Sequence, residues 1–592
     1  MKSSLKKLSI AAAAAAALGF GLTQADAADV VVASDITTST TWTSDNTYIL
    51  SNIVFVADGA TLTIEEGTVI RGLDDDETVG ADNNPGALVI ASDSYIEAMG
   101  TATNPIVFTN EEDDNVPGGA KTSPFYNGTS VAENQISEEW GGVIVLGDTY
   151  IANDTAGGPV SNRTEQIEGV TDLEGQFGGC DDDDSSGEMH YVSIRYGGFG
   201  LKANEEINGL TMGAVGRGTE LDHIEVVNNV DDGFEWFGGT VNSKYLITYN
   251  IGDDAFDSDR GYRGKSQFGL VVKGACKPGL AESGGGVANR AFEMDGGKSP
   301  DESQPYALSQ WHNYTLIGLG ENSDASWGGG WADDTGIEIR DNGRPQLYNF
   351  IVMDMGGDGV DIEYSSEGAS SADGWTTVWS NYPAADYSSA CHSNDSYFYR
   401  TQTQGYQTEI ADCLFYNIGK SVSTDKGDVD LLDASKRNIV LSQSPIRNIG
   451  RKAHQSYDTA GNTIMVVTNL DPRPTSVALG TPRTAPADGF FTPVDYYGAF
   501  SPSYDWTKGG WSLVGSEIMD TPANPTAPAS ATSELTFSTF FQTEDGVAYV
   551  VEASTDGNSW YPVGTVLGDG STKAVTDLSE FEEGLLYRVS VQ

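Results

Sequence analysis

Five times between Asp232 and Asp361 the chain repeats a small residue, a bulky apolar residue and a carboxylate. The copies are Asp232-Gly-Phe-Glu235, Asp254-Ala-Phe-Asp257, Arg290-Ala-Phe-Glu293, Thr335-Gly-Ile-Glu338 and Asp358-Gly-Val-Asp361. Their spacings are 22, 36, 45 and 23 residues, so two are near 22 and the longer two read as the same unit carrying an inserted loop. A recurring unit of about 20 to 25 residues means a solenoid.

β-rich runs precede three of the copies at a fixed offset: His223–Val227, Tyr245–Tyr249 and Phe350–Met353. Strand, short polar turn and strand, with no helical period between, is the rhythm of a parallel β-helix. Side chains alternate along a strand, so Phe234/Trp236, Phe256/Ser258, Phe292/Met294, Ile337/Ile339 and Val360/Ile362 are expected to point inward. Glu235, Asp257, Glu293, Glu338 and Asp361 then stack outward in one column, about 4.8 Å apart. Phe237, Asp259, Asp295, Arg340 and Glu363 form a second. Like charges opposite one another on neighbouring strands are destabilising unless a proton, a metal or a basic group compensates, and Arg260, Arg263, Lys265, Arg290 and Arg340 are within reach. The competing reading is a solvated acidic face that keeps the solenoid soluble.

Residues 1–27 read as a secretory leader: Lys2, Lys6 and Lys7, an apolar run from Leu8 to Leu22, and the small-x-small site Ala25-Asp-Ala27. The mature chain is therefore expected to be exported. The formal charge is −54, and losing three lysines and one aspartate makes it more negative still. Such a surface excludes nucleic acid and anionic lipid as partners held by field alone. No later stretch is apolar for the roughly 18 residues of a membrane span, so membrane insertion is not expected. In an oxidising compartment the four cysteines allow two disulfides. Cys391 with Cys413 is the expected pair because they flank one loop-like stretch, leaving Cys180 with Cys276. The five histidines form no metal motif.

The run Gly59-Ala-Thr-Leu-Thr-Ile-Glu-Glu-Gly-Thr-Val-Ile-Arg71 resembles the opening coil of many secreted bacterial right-handed β-helix proteins. Glu139–Gly147, Ile207–Gly216, Asp231–Asn242 and Phe490–Phe500 are similar to strings in a widespread family of exported bacterial β-helix (pectin-lyase-like) proteins without established activity. The resemblance covers roughly residues 40–515 and implies fold and location more than chemistry. The expected fold class is all-β, a right-handed parallel β-helix over 28–515, a Pro/Ala/Thr linker over 516–533 and a small sandwich over 534–592. That last segment resembles a fibronectin type III-like module.

Asn229-Val-Asp231 followed by Gly252-Asp253-Asp254 resembles two motifs of polygalacturonase-type β-helix hydrolases. The resemblance implies Asp254 as general acid, with Asp231 and Asp253 holding the attacking water. Crowded carboxylates push one another's pKa values apart. The hydrolases' Gly-His-Gly is absent, since Gly274-Ala-Cys276 stands there, and Arg263-Gly-Lys265 comes too early for their Arg-x-Lys. A lyase would need a base such as Arg260, Tyr262, Arg263 or Lys265. Acidic turns favour calcium, with Asp182, Asp184, Asp231, Asp232, Asp253, Asp257 and Asp259 as ligands. Asp182-x-Asp184-x-Ser186-Gly187 looks like the first half of an EF-hand-type loop, although Ser193 stands where a Glu belongs. Aromatic loops, Trp327 and Trp331 above all, beside Glu235, Trp236, Asp257, Arg260, Arg263, Lys265 and Glu338, form the expected glycan-contacting set. The expected function is thus a calcium-binding extracellular protein that engages a polysaccharide or cell-envelope component without catalysis. The rival is a polysaccharide hydrolase or lyase at Asp231, Asp253 and Asp254.

Overall fold

The short β-rich runs fold into parallel strands stacked coil upon coil. In the computed structural model the described residues are 28–73, 85–121, 137–152, 164–202, 205–274, 289–297, 303–323, 334–365, 370–378, 405–423, 429–455, 463–475, 480–522 and 524, with the strands of the C-terminal unit. Ten strands form one parallel sheet: β1 (Ile53–Val56), β2 (Ala87–Ile90), β3 (Val143–Leu146), β4 (Leu210–Gly213), β5 (Phe234–Phe237), β6 (Phe256–Asp259), β7 (Arg290–Asp295), β8 (Thr335–Arg340), β9 (Asp358–Ile362) and β10 (Ser421–Ser423). They pair in chain order, each with the strand one coil away, which is how a parallel β-helix is wound.

The remaining wall is a 17-stranded sheet. Its long strands Gly187–Arg195, Glu220–Val227, Asn242–Tyr249, Lys265–Val272 and Gln310–Ile317 each bend at one left-handed residue. These are Tyr191, His223, Tyr245, Phe268 and Asn313, with φ between 51° and 67°. A side chain in this backbone region costs on the order of 1–3 kcal/mol. Part of that is offset by stacking, since ring centroids lie 4.3 Å apart for Tyr191 and His223, 4.3 Å for His223 and Tyr245, and 5.0 Å for Tyr245 and Phe268. The hydrophobic pattern starts two of these strands at His223 and Tyr245, which are the corners. The strands begin three residues earlier, at Glu220 and Asn242, because a left-handed residue interrupts the alternation that marks a strand.

The inward residues of β5 to β9 are all buried as the alternation requires. Phe234 stacks on Phe256 at 5.2 Å and Phe256 on Phe292 at 4.9 Å, while Trp236 meets the edge of Trp311 at 5.4 Å. Trp311 sits in the core on strand Gln310–Ile317. Gly269 lies in register with Tyr314, and a Cβ there would come within 1.9 Å of the Tyr314 ring. Only glycine admits that ring.

Buried charges tie distant segments to the solenoid. Glu225, fully buried, accepts from Ser193 Oγ at 2.6 Å, Ser512 Oγ at 2.7 Å and the Leu513 amide at 2.6 Å, fastening the short helix Leu513–Glu517 to the coil wall. Ile518 and Met519 pack beside it. The chain divides into two units, Met1–Pro522 and Ala523–Gln592. The second contains an antiparallel pair, Phe537–Gln542 with Thr572–Asp577, and a three-stranded antiparallel sheet centred on Ala548–Ser554. No helix among the described residues is long and apolar enough to cross a membrane.

One expectation is corrected. Cys413 carries a free, fully buried thiol, pushed up to about 12 by burial, so no Cys391–Cys413 bridge forms. The Cys413 side chain packs in the coil interior. Cys276 and Cys391 lie outside the described residues, and Cys180 is disulfide-bonded. In the EF-hand-like stretch the two expected ligands already have partners within the protein. Asp182 is fully buried in a two-pronged pair with Arg263 at 2.5 and 2.9 Å. Asp184 caps the Asp148 amide at 3.0 Å.

Candidate functional site

Strands β5 to β9 bring the five carboxylates of the repeat into one column, because each turn of the coil returns the chain in register. Glu235 pairs with Asp257, Asp257 with Glu293, Glu293 with Glu338, and Glu338 with Asp361. In the second column Phe237 pairs with Asp259 and Asp295 with Arg340. The column is no simple solvated face, since Glu235 is only 7% exposed and Glu293 8%. Carboxylates this dry and this close need compensation.

The half formed by β7 and β8 has it. Arg290 pairs with Glu338, with Glu293 at 3.2 Å and with Asp254 at 3.8 Å. Arg340 reaches Glu293 at 2.7 Å and Asp295 at 2.9 Å. Burial and neighbouring acids still push Glu293 up to about 11, against the pull of Arg290.

The half formed by β5, β6 and the turns before them is different. Among the described residues no Lys or Arg pairs with Asp232, Glu235 or Asp257. Burial first, and the charge of neighbouring carboxylates second, raise all three well above the usual carboxylate range, with Arg340 pulling Asp257 the other way. Asn208, one coil earlier, donates to Glu235. Asp232 Oδ1 accepts from the Asp254 amide at 2.8 Å, and Oδ1 of Asp257 is buried without a hydrogen-bond partner. Two triads of carboxylate oxygens lie within 4.8 Å of one another: Asp231, Asp232 and Asp253, and Asp232, Glu235 and Asp257. Asp232 belongs to both. Calcium–oxygen distances of about 2.3–2.6 Å put two oxygens on one ion at up to about 5 Å, so each triad fits a hard divalent cation.

A family model for the pectate-lyase-like β-helix domain matches residues 34–121 and 118–425. The chain belongs to this family. No curated protein and no solved structure matches it. In this pectate-lyase-like β-helix the three residues expected to be catalytic do stand on adjacent coils, but not equivalently. Asp231 and Asp253 share a triad with Asp232. Asp254 is 2% exposed, faces Arg290, and is pushed up to about 7 by burial and by Asp253. The void bounded by Asp253, Lys273 and Arg290 does not admit a water molecule.

The other expected residues scatter. Arg260 pairs with Glu165 at 2.8 Å and Asp259 at 2.6 Å, so Asp259 is held by an arginine and joins neither triad. Arg263 is fully buried against Asp182, and Lys265 leaves the ladder altogether for Asp488 at 2.6 Å. Tyr262 is buried and donates to the Val241 carbonyl. The candidate lyase bases thus lose their common site. Trp236 points into the core, as alternation alone requires, and cannot touch a glycan. Trp327 and Trp331 lie outside the described residues. Two residues of the site, Asn208 and Lys273, which pairs with Asp334, stand outside the repeat. The sequence carries no signal for them, because one lies a coil above the repeat and the other on the adjoining wall.

Proposed function

We propose that this protein is an exported β-helix that binds calcium through Asp231, Asp232, Glu235, Asp253 and Asp257, and that its loaded face engages glycan or envelope material without catalysis. One observation carries the reading: Asp232 joins two carboxylate triads, and among the described residues no Lys or Arg forms an ion pair with Asp232, Glu235 or Asp257. Oxygen-only ligands on neighbouring turns suit calcium over softer metals. Export rests on the leader pattern at 1–27. Isothermal titration of the chelator-treated protein with calcium tests the site. Binding is expected in the wild type and lost in Asp232→Asn. Equal heats from both proteins would remove Asp232 from any cation site. A glycan array read with and without calcium tests engagement, and calcium-independent signals would sever the two halves of the proposal.

A polysaccharide-degrading activity is the second reading. Family membership favours it, as does Asp254, which at about 7 is poised to hold a proton near neutral pH. Against it stand the Arg290 contact and the void too small for water. Release of oligosaccharides from acidic polysaccharides, abolished by Asp254→Asn, would establish it and displace the non-catalytic reading.

A further inference from the structure

On the bent 17-stranded wall, away from the ladder's sheet, a cavity of about 750 Å³ opens between the strands Gln310–Ile317 and Gln346–Tyr348 and the returning segment 483–488. That volume is in the range of small-molecule sites. Its floor is two rungs of outward side chains in register, Gln310 beside Gln346 and His312 beside Tyr348. Gln310 donates to Gln346 at 2.6 Å, which fixes the amides side by side. His312 is fully buried between the rings of Tyr348 and Phe491, and neither ring nitrogen has a hydrogen-bond partner. Burial holds it neutral, at about 3, so it presents one donor and one acceptor, the pattern that a hydroxyl group complements.

The rim is cationic in a strongly acidic protein. Arg437 and Arg483 line the cavity. Both lean on Asp412, at 2.5 and 2.8 Å, and Arg483 also lies over the Tyr348 ring at 4.2 Å. Of the charged residues that line the cavity, two are cations, Arg437 and Arg483, and one is a carboxylate, Asp488. The surplus is one positive charge, where the whole chain has 86 acidic residues against 32 basic ones. A guanidinium pair with spare donors selects a carboxylate, and the amides and imidazole select hydroxyls.

We propose that this cavity binds a small polyhydroxy carboxylate, a sugar acid or a sugar-acid end of a larger glycan, independently of calcium and of the acidic ladder. The test is isothermal titration of the full-length protein in chelator-containing buffer, which separates its outcome from that of the calcium site. The probes are D-gluconate, D-sorbitol, which lacks the carboxylate, and hexanoate, which lacks the hydroxyls. Gluconate is expected to bind, with each of the other two weaker by about tenfold or more, as loss of one charge-assisted contact implies. Arg437 has a largely exposed side chain, so Arg437→Gln should keep the fold, checked by circular dichroism and melting. It should weaken gluconate about tenfold and leave sorbitol unchanged, and Arg437→Glu should abolish gluconate binding. No heat with gluconate at millimolar concentration would overturn the proposal. So would sorbitol or hexanoate binding as tightly as gluconate, or a folded Arg437→Gln protein with unaltered gluconate affinity.

Discussion

The two halves of the acidic ladder share one sheet, one register and one repeat, yet they resolve crowding of like charges in opposite ways. Around β7 and β8, Arg290 and Arg340 are threaded between Glu293, Asp295 and Glu338. Around β5 and β6, Asp232, Glu235 and Asp257 face one another with hydrogen bonds from Asn208 and a backbone amide but no ion pair among the described residues. A half-ladder with built-in cations is finished by folding. Asp232, Glu235 and Asp257 have no such partner among the described residues, and the proposed calcium site rests on that difference.

The largest effect should come from breaking the finished half. Arg290→Ala leaves Glu293 and Asp254 crowded and dry beside the half-buried Glu338, and should destabilise the first unit by about 3 kcal/mol or more in chemical denaturation. A loss below about 1 kcal/mol would mean that the arginine is not the compensator. The unfinished half should respond to calcium instead. At calcium a hundredfold above its dissociation constant, the wild type should gain about 2.7 kcal/mol, and a higher melting temperature, over protein in chelator. Asp232→Asn should show no gain and, in chelator, should be the more stable of the two because one repelling charge is gone. A wild-type melting curve that ignores chelator at low salt would sink the structural-calcium reading.

Next in size is pH. Asp254 has its folded pKa pushed up to about 7, with Asp232, Glu235 and Asp257 displaced in the same direction. Between about pH 4, where free carboxylates titrate, and pH 7 the folded chain therefore holds more protons than the unfolded one, so stability falls as pH rises. In chelator that fall should be on the order of 2 kcal/mol, since a tenfold gain in proton affinity on folding is worth about 1.4 kcal/mol and local relaxation takes back part of the whole. Calcium should flatten it. A metal-free protein that gains stability across this window would contradict the crowding. The smallest effect belongs to a pair outside the ladder. Arg217 meets Asp183, whose side chain is 51% exposed, and Arg217→Ala should change stability by no more than about 0.5 kcal/mol.

Much of the architecture was legible because it is periodic. The spacing of the five copies set the rungs, and the alternation of Phe234 and Trp236 against Glu235 set which side chains enter the core. The same alternation argued against Trp236 as a glycan contact. The corners at His223 and Tyr245 were hidden, because a left-handed residue leaves no mark in a hydrophobic pattern when aromatic stacking holds it.

By itself, the sequence determined the solenoid, its register and the existence of a column of carboxylates, since all three follow from short-range repetition and the two-residue period of a strand. Only the tertiary structure decided which acids are neutralised. Asp182 went to Arg263, 81 positions away, Lys265 to Asp488, 223 positions away, and Cys413 to the coil interior without a disulfide partner. The cavity beneath Arg483 likewise joins residues from Gln310 to Asp488. Periodicity acts between neighbours in the chain, whereas charge pairing and cavity formation depend on distances through space that no local pattern records.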